Sequence, residues 1–210
     1  MSTPLEAWRA ALGDTYTERH GVSPATLDSR MAMWGRLLGL MDGDTPESIL
    51  EVGANIGLNL RALRLLTGAK LAAVEPNDGA RERLVLDGVV TYDNAHGVSA
   101  SDLPRDVGFD LVFTCGLLIH IPPDDLGKVC AEIYRVSNKY ILCIEYFADQ
   151  PEELPYRGHE GLLWKRDFGD FWMARYPNLA LVDYGFLWRR ATGLDNLTYW
   201  LFRKANHASV

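Results

Sequence analysis

Cysteine is scarce: Cys115, Cys130 and Cys143 are the only three, and they share no metal-type spacing. Each lies in an apolar run, where a thiol is usually a small buried hydrophobe. They read as reduced core thiols of a cytoplasmic chain, with no disulfide framework and no metal. Long hydrophobic runs are missing as well. No window approaches about eighteen consecutive apolar residues, so nothing is expected to span a membrane. Met1 to Gly13 has an early acidic residue and no long apolar core, so no signal peptide is expected. Basic residues are the minority, 21 against 28 acidic, for a formal net charge of −7. Proteins that live on nucleic acid normally show a basic patch, so DNA and RNA are not expected as partners. Repeats, low-complexity tracts and linkers are also lacking. What is present, 210 residues of which 48% are hydrophobic, suffices for one domain with a real core.

The stretch Ser48-Ile49-Leu50-Glu51-Val52-Gly53-Ala54-Asn55-Ile56-Gly57 is the most informative. A β-branched apolar run leads to an acidic residue, and two glycines then bracket a turn. Leu58 to Leu66 carry apolar residues at helical spacing, so the segment reads as strand, turn and helix start in an open parallel sheet. Gly53 permits a tight turn and close approach of a ligand. The next apolar run, Leu71 to Val74, ends at Glu75, placed to accept both hydroxyls of a ribose. A second absence matters here. Dinucleotide sites use G-x-G-x-x-G to lay a diphosphate on a helix N-terminus; this turn reads E-x-G-x-x-x-G. Glu51 would repel a diphosphate but suits a ligand carrying an ammonium and a sulfonium. The pattern resembles the first motif of class I S-adenosylmethionine-dependent methyltransferases, which sets S-adenosylmethionine above NAD.

Strand and helix patterns alternate regularly from Ser48, the signature of a doubly wound sheet. Strands are predicted at Ser48–Val52, Lys70–Glu75, weakly near Val89–Tyr92, then at 109–114, Lys139–Tyr146, Leu179–Trp188 and Leu197–Phe202. Helices are predicted at Leu58–Leu66, Asp78–Leu86 and Asp124–Val136, the last entered through Pro122 and Pro123. That is an α/β, Rossmann-like sheet of about seven strands over residues 46–210. Ahead of it, residues 1–45 form an N-terminal helical cap, with helices at Leu5–Leu12 and Leu27–Met41. Between those helices Tyr16 to Gly21 is polar and aromatic. It reads either as a cap placing Tyr16, Arg19 and His20 on the crevice, or as a solvated turn. Residues 147–168 break the rhythm as a lid insertion. Loops of that length are usually functional or disordered. Its Tyr156, Arg157, His159, Trp164, Lys165 and Arg166 suit an anionic small molecule with a ring to stack on.

Methyl transfer from a sulfonium is a direct displacement, so positioning contributes much of the rate and no metal is required. A hydroxyl or ammonium acceptor still needs a base. His120 is the first candidate, because it follows the central strand at the sheet edge where sites gather and titrates near neutrality. The alternative is a histidine bonded to backbone beside the cofactor. Tyr16, His20 and Glu145 are second candidates, and Glu145 with Tyr146 ends strand five at the same edge. A third absence concerns base methylation. The D/N-P-P-Y/F motif of exocyclic-amine methylases would fall at Thr114-Cys115-Gly116-Leu117, and is not there.

Beyond the superfamily, five segments together resemble the pseudaminic acid biosynthesis-associated methylases: E-V-G-A-N-I-G-L-N-L-R-A-L at 51–63, F-D-L-V-F-T-C-G-L-L-I-H-I at 109–121, Y-R-G-H-E at 156–160, K-R-D-F at 165–168 and Y-P-N-L-A-L-V-D-Y-G-F at 176–186. The resemblance runs from Gly13-Asp14 to the final strand. It implies a class I methyltransferase whose last strand is antiparallel. By position, Glu51, Gly53, Asn55 and Gly57 would hold the amino-acid part of S-adenosylmethionine and Glu75 the ribose. Pro76 and Asn77 would neighbour the adenine across from Gly97, Val98 and Ser99, and Thr114 and Gly116 would line the methionine end. The acceptor implied is a small, anionic sugar or nucleotide-sugar of the nonulosonate type. Two departures lie on the expected acceptor side: His20 stands where asparagine is expected, and Arg189–Asp195 is shorter than usual. A natural-product or amino-acid-like acceptor, methylated on oxygen or nitrogen, is therefore the alternative. A nicotinamide-dependent oxidoreductase and a non-catalytic cofactor-binding module are the competing classes.

Overall fold

The computed structural model describes residues 4–19, 21–41 and 43–205; the side chains of Ala11 and Arg19 are also outside the description. His20 thus lies outside the described residues, and Arg19 enters only by its backbone. Three helices come first, α1 (Pro4–Arg9), α2 (Ala11–Arg19) and α3 (Pro24–Gly39). The alternating part follows: β1 (Ser48–Val52), α4 (Leu58–Leu66), β2 (Lys70–Val74), α5 (Asp78–Leu86), β3 (Ala95–His96), β4 (Phe109–Cys115), α6 (Pro123–Val136) and β5 (Ser137–Glu145). A two-stranded ribbon, β6 (Glu152–Glu153) and β7 (Trp164–Lys165), precedes α7 (Phe168–Arg175), β8 (Leu179–Leu187), α8 (Arg189–Thr192) and β9 (Leu197–Lys204).

Seven strands form one sheet in the order β3-β2-β1-β4-β5-β9-β8. The first five are parallel, and β9 runs antiparallel between β5 and β8. Strand order reverses at β1 and β4, so the crevice for a ligand opens beyond their carboxyl ends. Each face of the sheet is sealed by helices. On one face Trp34 of α3, fully buried, meets Phe113 edge-on at 4.6 Å between centroids. On the other, α6 buries Leu126, Val129, Cys130, Ile133 and Val136, one stripe at helical spacing. Burying each larger aliphatic side chain stabilises by roughly 1.5–3 kcal/mol. Among the described residues, no helix is long and apolar enough to cross a membrane, and no cluster of His, Cys, Asp and Glu could hold a metal ion.

Local signals explain the boundaries. Ser23 caps α3 through a reciprocal capping box with Thr26, and Pro24 occupies its first turn. The expected third strand at Val89–Tyr92 is not one. Gly88, in the left-handed region at φ 63°, lets its amide bond to the Val85 carbonyl and that of Val89 to the Leu84 carbonyl. This is a Schellman cap, which spends the β-branched pair on ending α5. Strand β3 starts only at Ala95. The polar stretch after residue 15 is likewise no turn up to residue 19, since Tyr16 to Glu18 continue α2.

Candidate active site

Beyond β1, β2 and β4 the chain encloses a cavity of about 660 Å3, roofed by α1, α2 and the 147–168 segment. Glu51, the fourth residue of β1, is 2% exposed and lines it. Its Oε1 accepts from Asn59 Nδ2 at 2.7 Å, while Oε2 has no hydrogen-bond partner among the described residues. Burial pushes this carboxyl up to about 8, against the Asn59 hydrogen bond and the positive charge of Arg30. Asn59 is itself fixed by Trp34 Nε1 at 3.4 Å.

Four amides of the turn after Glu51 are already bonded. Gly53 and Ala54 donate to the Val74 carbonyl, Asn55 to Glu75 Oε2 at 2.7 Å, and Gly57 to the Ala54 carbonyl. Those four are withheld from a diphosphate, while the amides that open α4 carry no side-chain cap. Gly53, at φ 79°, is left-handed, and a Cβ there would stand 2.8 Å from Leu117 Cδ1. Gly57 is outside the cavity lining: a Cβ on it would overlap buried Leu84, so it serves the approach of α4 to α5.

Glu75 is 8% exposed, and Oε1 accepts from the Asn77 amide at 2.8 Å. Burial raises its pKa, opposed by these two amide bonds. A carboxylate has about four acceptor positions, so both oxygens retain capacity for a pair of hydroxyls. Asn77 caps α5 through Oδ1 and donates from Nδ2 to Asp14 Oδ1 at 2.8 Å. Thr17 donates to Asn55 Oδ1 at 2.7 Å. Helix α2 is thus tied to both loops that frame Glu75. Pro76, Asn77 and Ser99 line the cavity, joined by Ala100 and Ser101; Gly97 and Val98 do not line it, and Gly97 lies under the Arg81 guanidinium.

At the end of β4, Gly116 lines the cavity with Cys115, whereas Thr114 and Glu145 sit behind it. Glu145 Oε1 accepts from Thr114 Oγ1 at 2.8 Å and from the amides of Leu117 and Leu118, and Oε2 from that of Ile119. Burial moves its pKa up to about 7, against these bonds. It braces the turn that carries His120. His120 Nδ1 is 2.6 Å from the Leu162 carbonyl, an acceptor only, so the proton is on Nδ1 and the Nε2 lone pair is free to face a ligand. Burial pushes His120 down to about 4, so the ring is neutral at physiological pH. It stacks within an aromatic group: the Trp8 centroid is 4.5 Å away and that of Tyr156 4.9 Å. Trp8 also meets Tyr16 edge-on at 5.6 Å. Burial raises the Tyr16 hydroxyl above its ordinary pKa, and Tyr146 donates to Asp195 Oδ2 at 3.1 Å.

The expected cationic cluster is not brought together. Arg157 and Tyr156 reach the cavity; His159, Lys165 and Arg166 do not line it. Lys165 lies 3.9 Å from Glu152, and Arg166 sits over the Phe171 ring. Paired amides between Tyr156 and His159 close a two-residue hairpin, with Arg157 at φ 54° and Gly158 at φ 82°. Both positive angles make it a type I′ turn, which holds an arginine in a backbone region that side chains rarely adopt. Trp8, Asn59 and Arg30 were not singled out in the sequence. Arg30 had a legible signal: it continues the buried stripe Met33, Trp34 and Leu37 of α3 at helical spacing, a charge in an apolar register.

Residues 50–140 match the family model described as a methyltransferase domain. Comparison with curated proteins gives no match. Among solved structures, a 1,6-didemethyltoxoflavin-N1-methyltransferase of Burkholderia thailandensis, with its substrate and S-adenosylhomocysteine bound, is 19% identical, with a TM-score of 0.70 over 98% of this chain and 92% of that one. A SAM-dependent methyltransferase of Leishmania major is 19% identical, with a TM-score of 0.71 over 95% of this chain and 81% of that one. The magnesium protoporphyrin IX methyltransferase of Synechocystis PCC 6803, with SAM bound, is 12% identical, with a TM-score of 0.65 over 98% and 99%. The sheet order, the antiparallel last strand and these likenesses identify the Rossmann-like fold of the class I methyltransferases.

Proposed function

We propose that this protein is a methyltransferase that takes S-adenosylmethionine as donor and a small acidic metabolite as acceptor. One observation carries the reading: Glu51 is sealed at the head of the cavity with an unpartnered oxygen, beside a turn without room for a side chain. A buried carboxylate of this kind is costly unless a cation meets it. When bound, the donor supplies an electrophilic methyl group on a sulfonium. Glu51 holds its ammonium end, Glu75 accepts the ribose hydroxyls, and Ser99 to Ser101 with Pro76 flank the adenine.

Residues 1–45 and 147–168 act as cap and lid over the acceptor. Trp8, Tyr16 and Tyr156 flank its ring, and His120 Nε2 accepts a hydrogen bond from its hydroxyl or amine, aligning a lone pair with the methyl carbon. With a pKa about 4, His120 orients better than it stores a proton. Arg157 at the mouth reads a negative charge. The acceptor this favours is an acid sugar of the nonulosonate type, in line with the Y-R-G-H-E and K-R-D-F resemblance. With a net charge of −7, nucleic acid is not the acceptor. Three reduced cysteines fit a cytoplasmic enzyme.

A second acceptor class has its own support. The walls beside His120 are aromatic, and of the cluster's cations Arg157 alone lines the cavity among the described residues, which suits a planar natural-product ring. The 1,6-didemethyltoxoflavin of the Burkholderia enzyme is of that kind. Calorimetry with S-adenosylhomocysteine and with NADH tests the donor; retention of NADH without affinity for S-adenosylhomocysteine would refute it. Incubation with donor and panels of acid sugars and aromatic metabolites, read by mass for one added CH2, decides between the acceptors.

A further inference from the structure

A carboxyl and a guanidinium line the same cavity and do not meet. Among the described residues Glu51 Oε2 is buried without a partner, and so is Arg30 Nε. Among the described residues the Arg30 guanidinium makes one hydrogen bond, from Nη1 to the Thr26 carbonyl at 3.2 Å within its own helix. Among the described residues it forms no ion pair within 4.0 Å, with Glu51 or any other carboxylate. Arg30 nevertheless stands close enough for its charge to lower the pKa of Glu51. Ionising the buried Glu51 without a counter-charge is expensive, Arg30 is only partly buried beside it, and a direct pair between them is not made. A bare cation would satisfy Glu51 and crowd Arg30, and a bare anion would do the reverse. A ligand with an ammonium and a carboxylate on neighbouring atoms answers both.

We infer that Arg30 and Glu51 form a receptor for an α-amino-acid zwitterion, Arg30 taking the carboxylate and Glu51 the ammonium. Resting on the donor reading above, the group they hold is the amino-acid end of S-adenosylmethionine. Gly53, Cys115 and Gly116 line the cavity beside Glu51, so the sulfonium end extends along them. One consequence concerns specificity. With Arg30 engaged by the donor, Arg157 is left, among the described residues, as the cation lining the acceptor side, and the acceptor carries its charge at the cavity mouth.

The same chemistry could come from a free amino acid bound as acceptor, and calorimetry on the full chain separates the two. The probes are S-adenosylhomocysteine, 5′-methylthioadenosine, which lacks the amino-acid end, and methionine added to protein saturated with S-adenosylhomocysteine. Replacement by the neutral Arg30→Gln should weaken S-adenosylhomocysteine by about 10- to 100-fold, the worth of a charge-assisted hydrogen bond. It should leave 5′-methylthioadenosine unchanged, and Arg30→Lys should recover part of the loss. Equal effects of Arg30→Gln on both nucleosides, or none on either, would overturn the assignment. So would methionine binding to the saturated protein that Arg30→Gln abolishes, because the zwitterion would then be the acceptor. A wild-type protein that binds neither nucleoside removes the donor reading itself.

Discussion

Replacing Glu51 by glutamine should make the protein without cofactor gain stability with rising pH, relative to wild type, while its affinity for the cofactor collapses. The magnitude follows from burial. Glu51 sits at about 8 instead of the usual 4.5, chiefly because the ionised form is desolvated. Between those values the folded state holds a proton that the unfolded chain has released, so stability falls as pH rises through the window from 4.5 to 8 and levels off above it. At pH 7 this is two and a half pH units, or roughly 3 kcal/mol. Glutamine keeps the acceptor for Asn59 but buries an amide N–H2 where Oε2 had no partner, a pH-independent cost of about 1–3 kcal/mol. The informative quantity is therefore the slope. The difference in Tm between variant and wild type should climb by on the order of 10 °C from pH 4.5 to 8, at about 2–4 °C per kcal/mol. Thermal melts of the cofactor-free proteins across that range measure it. Calorimetry with S-adenosylhomocysteine should show at least about a tenfold loss in the variant. A pH-independent difference in Tm, or an undiminished affinity, would refute the account of Glu51.

The two glycines of the turn should separate stability from binding. Gly53→Ala enters the left-handed region at about 1–2 kcal/mol and pushes Leu117 into the cavity, so cofactor affinity should fall more than Tm; Gly57→Ala meets buried Leu84 at a further cost of about 1–3 kcal/mol and should do the reverse. Proportional losses in both would sink the distinction. Arg157→Asn removes the charge yet suits the type I′ turn, so acceptor KM should rise about tenfold while Tm and cofactor affinity hold or improve; equal loss of donor and acceptor binding would contradict it. His120 is held neutral at about 4 against 6.5 unfolded, so its contribution is present above pH 6.5 and is lost as pH falls toward 4. His120→Gln should lower kcat about 10²-fold and abolish that acid-side loss of on the order of 3 kcal/mol in melts below pH 6.5; a variant that loses stability in acid as wild type does would speak against it.

Local patterns settle local things. The run into Glu51, the two turn glycines and the apolar spacing of 58–66 dictate strand, turn and helix, because period and backbone freedom are properties of a few adjacent residues. The parallel sheet follows from their alternation, and the crevice beyond β1 and β4 from that topology. The third strand was misread for a local reason of its own, since a β-branched pair after glycine serves a Schellman cap as well as it serves a strand. Which residues share the cavity was another matter. Gly97 and Val98 pass beside it, Lys165 and Arg166 turn to Glu152 and Phe171, and Glu145 spends its oxygens on the loop under His120. The pairing of Glu51 with Asn59, and its standoff from Arg30, join residues from different elements whose side-chain directions the chain's own order does not encode. The sequence determined that there is a carboxylate-flanked turn in a parallel sheet; tertiary packing decided what looks into it, because burial and charge depend on neighbours distant along the chain.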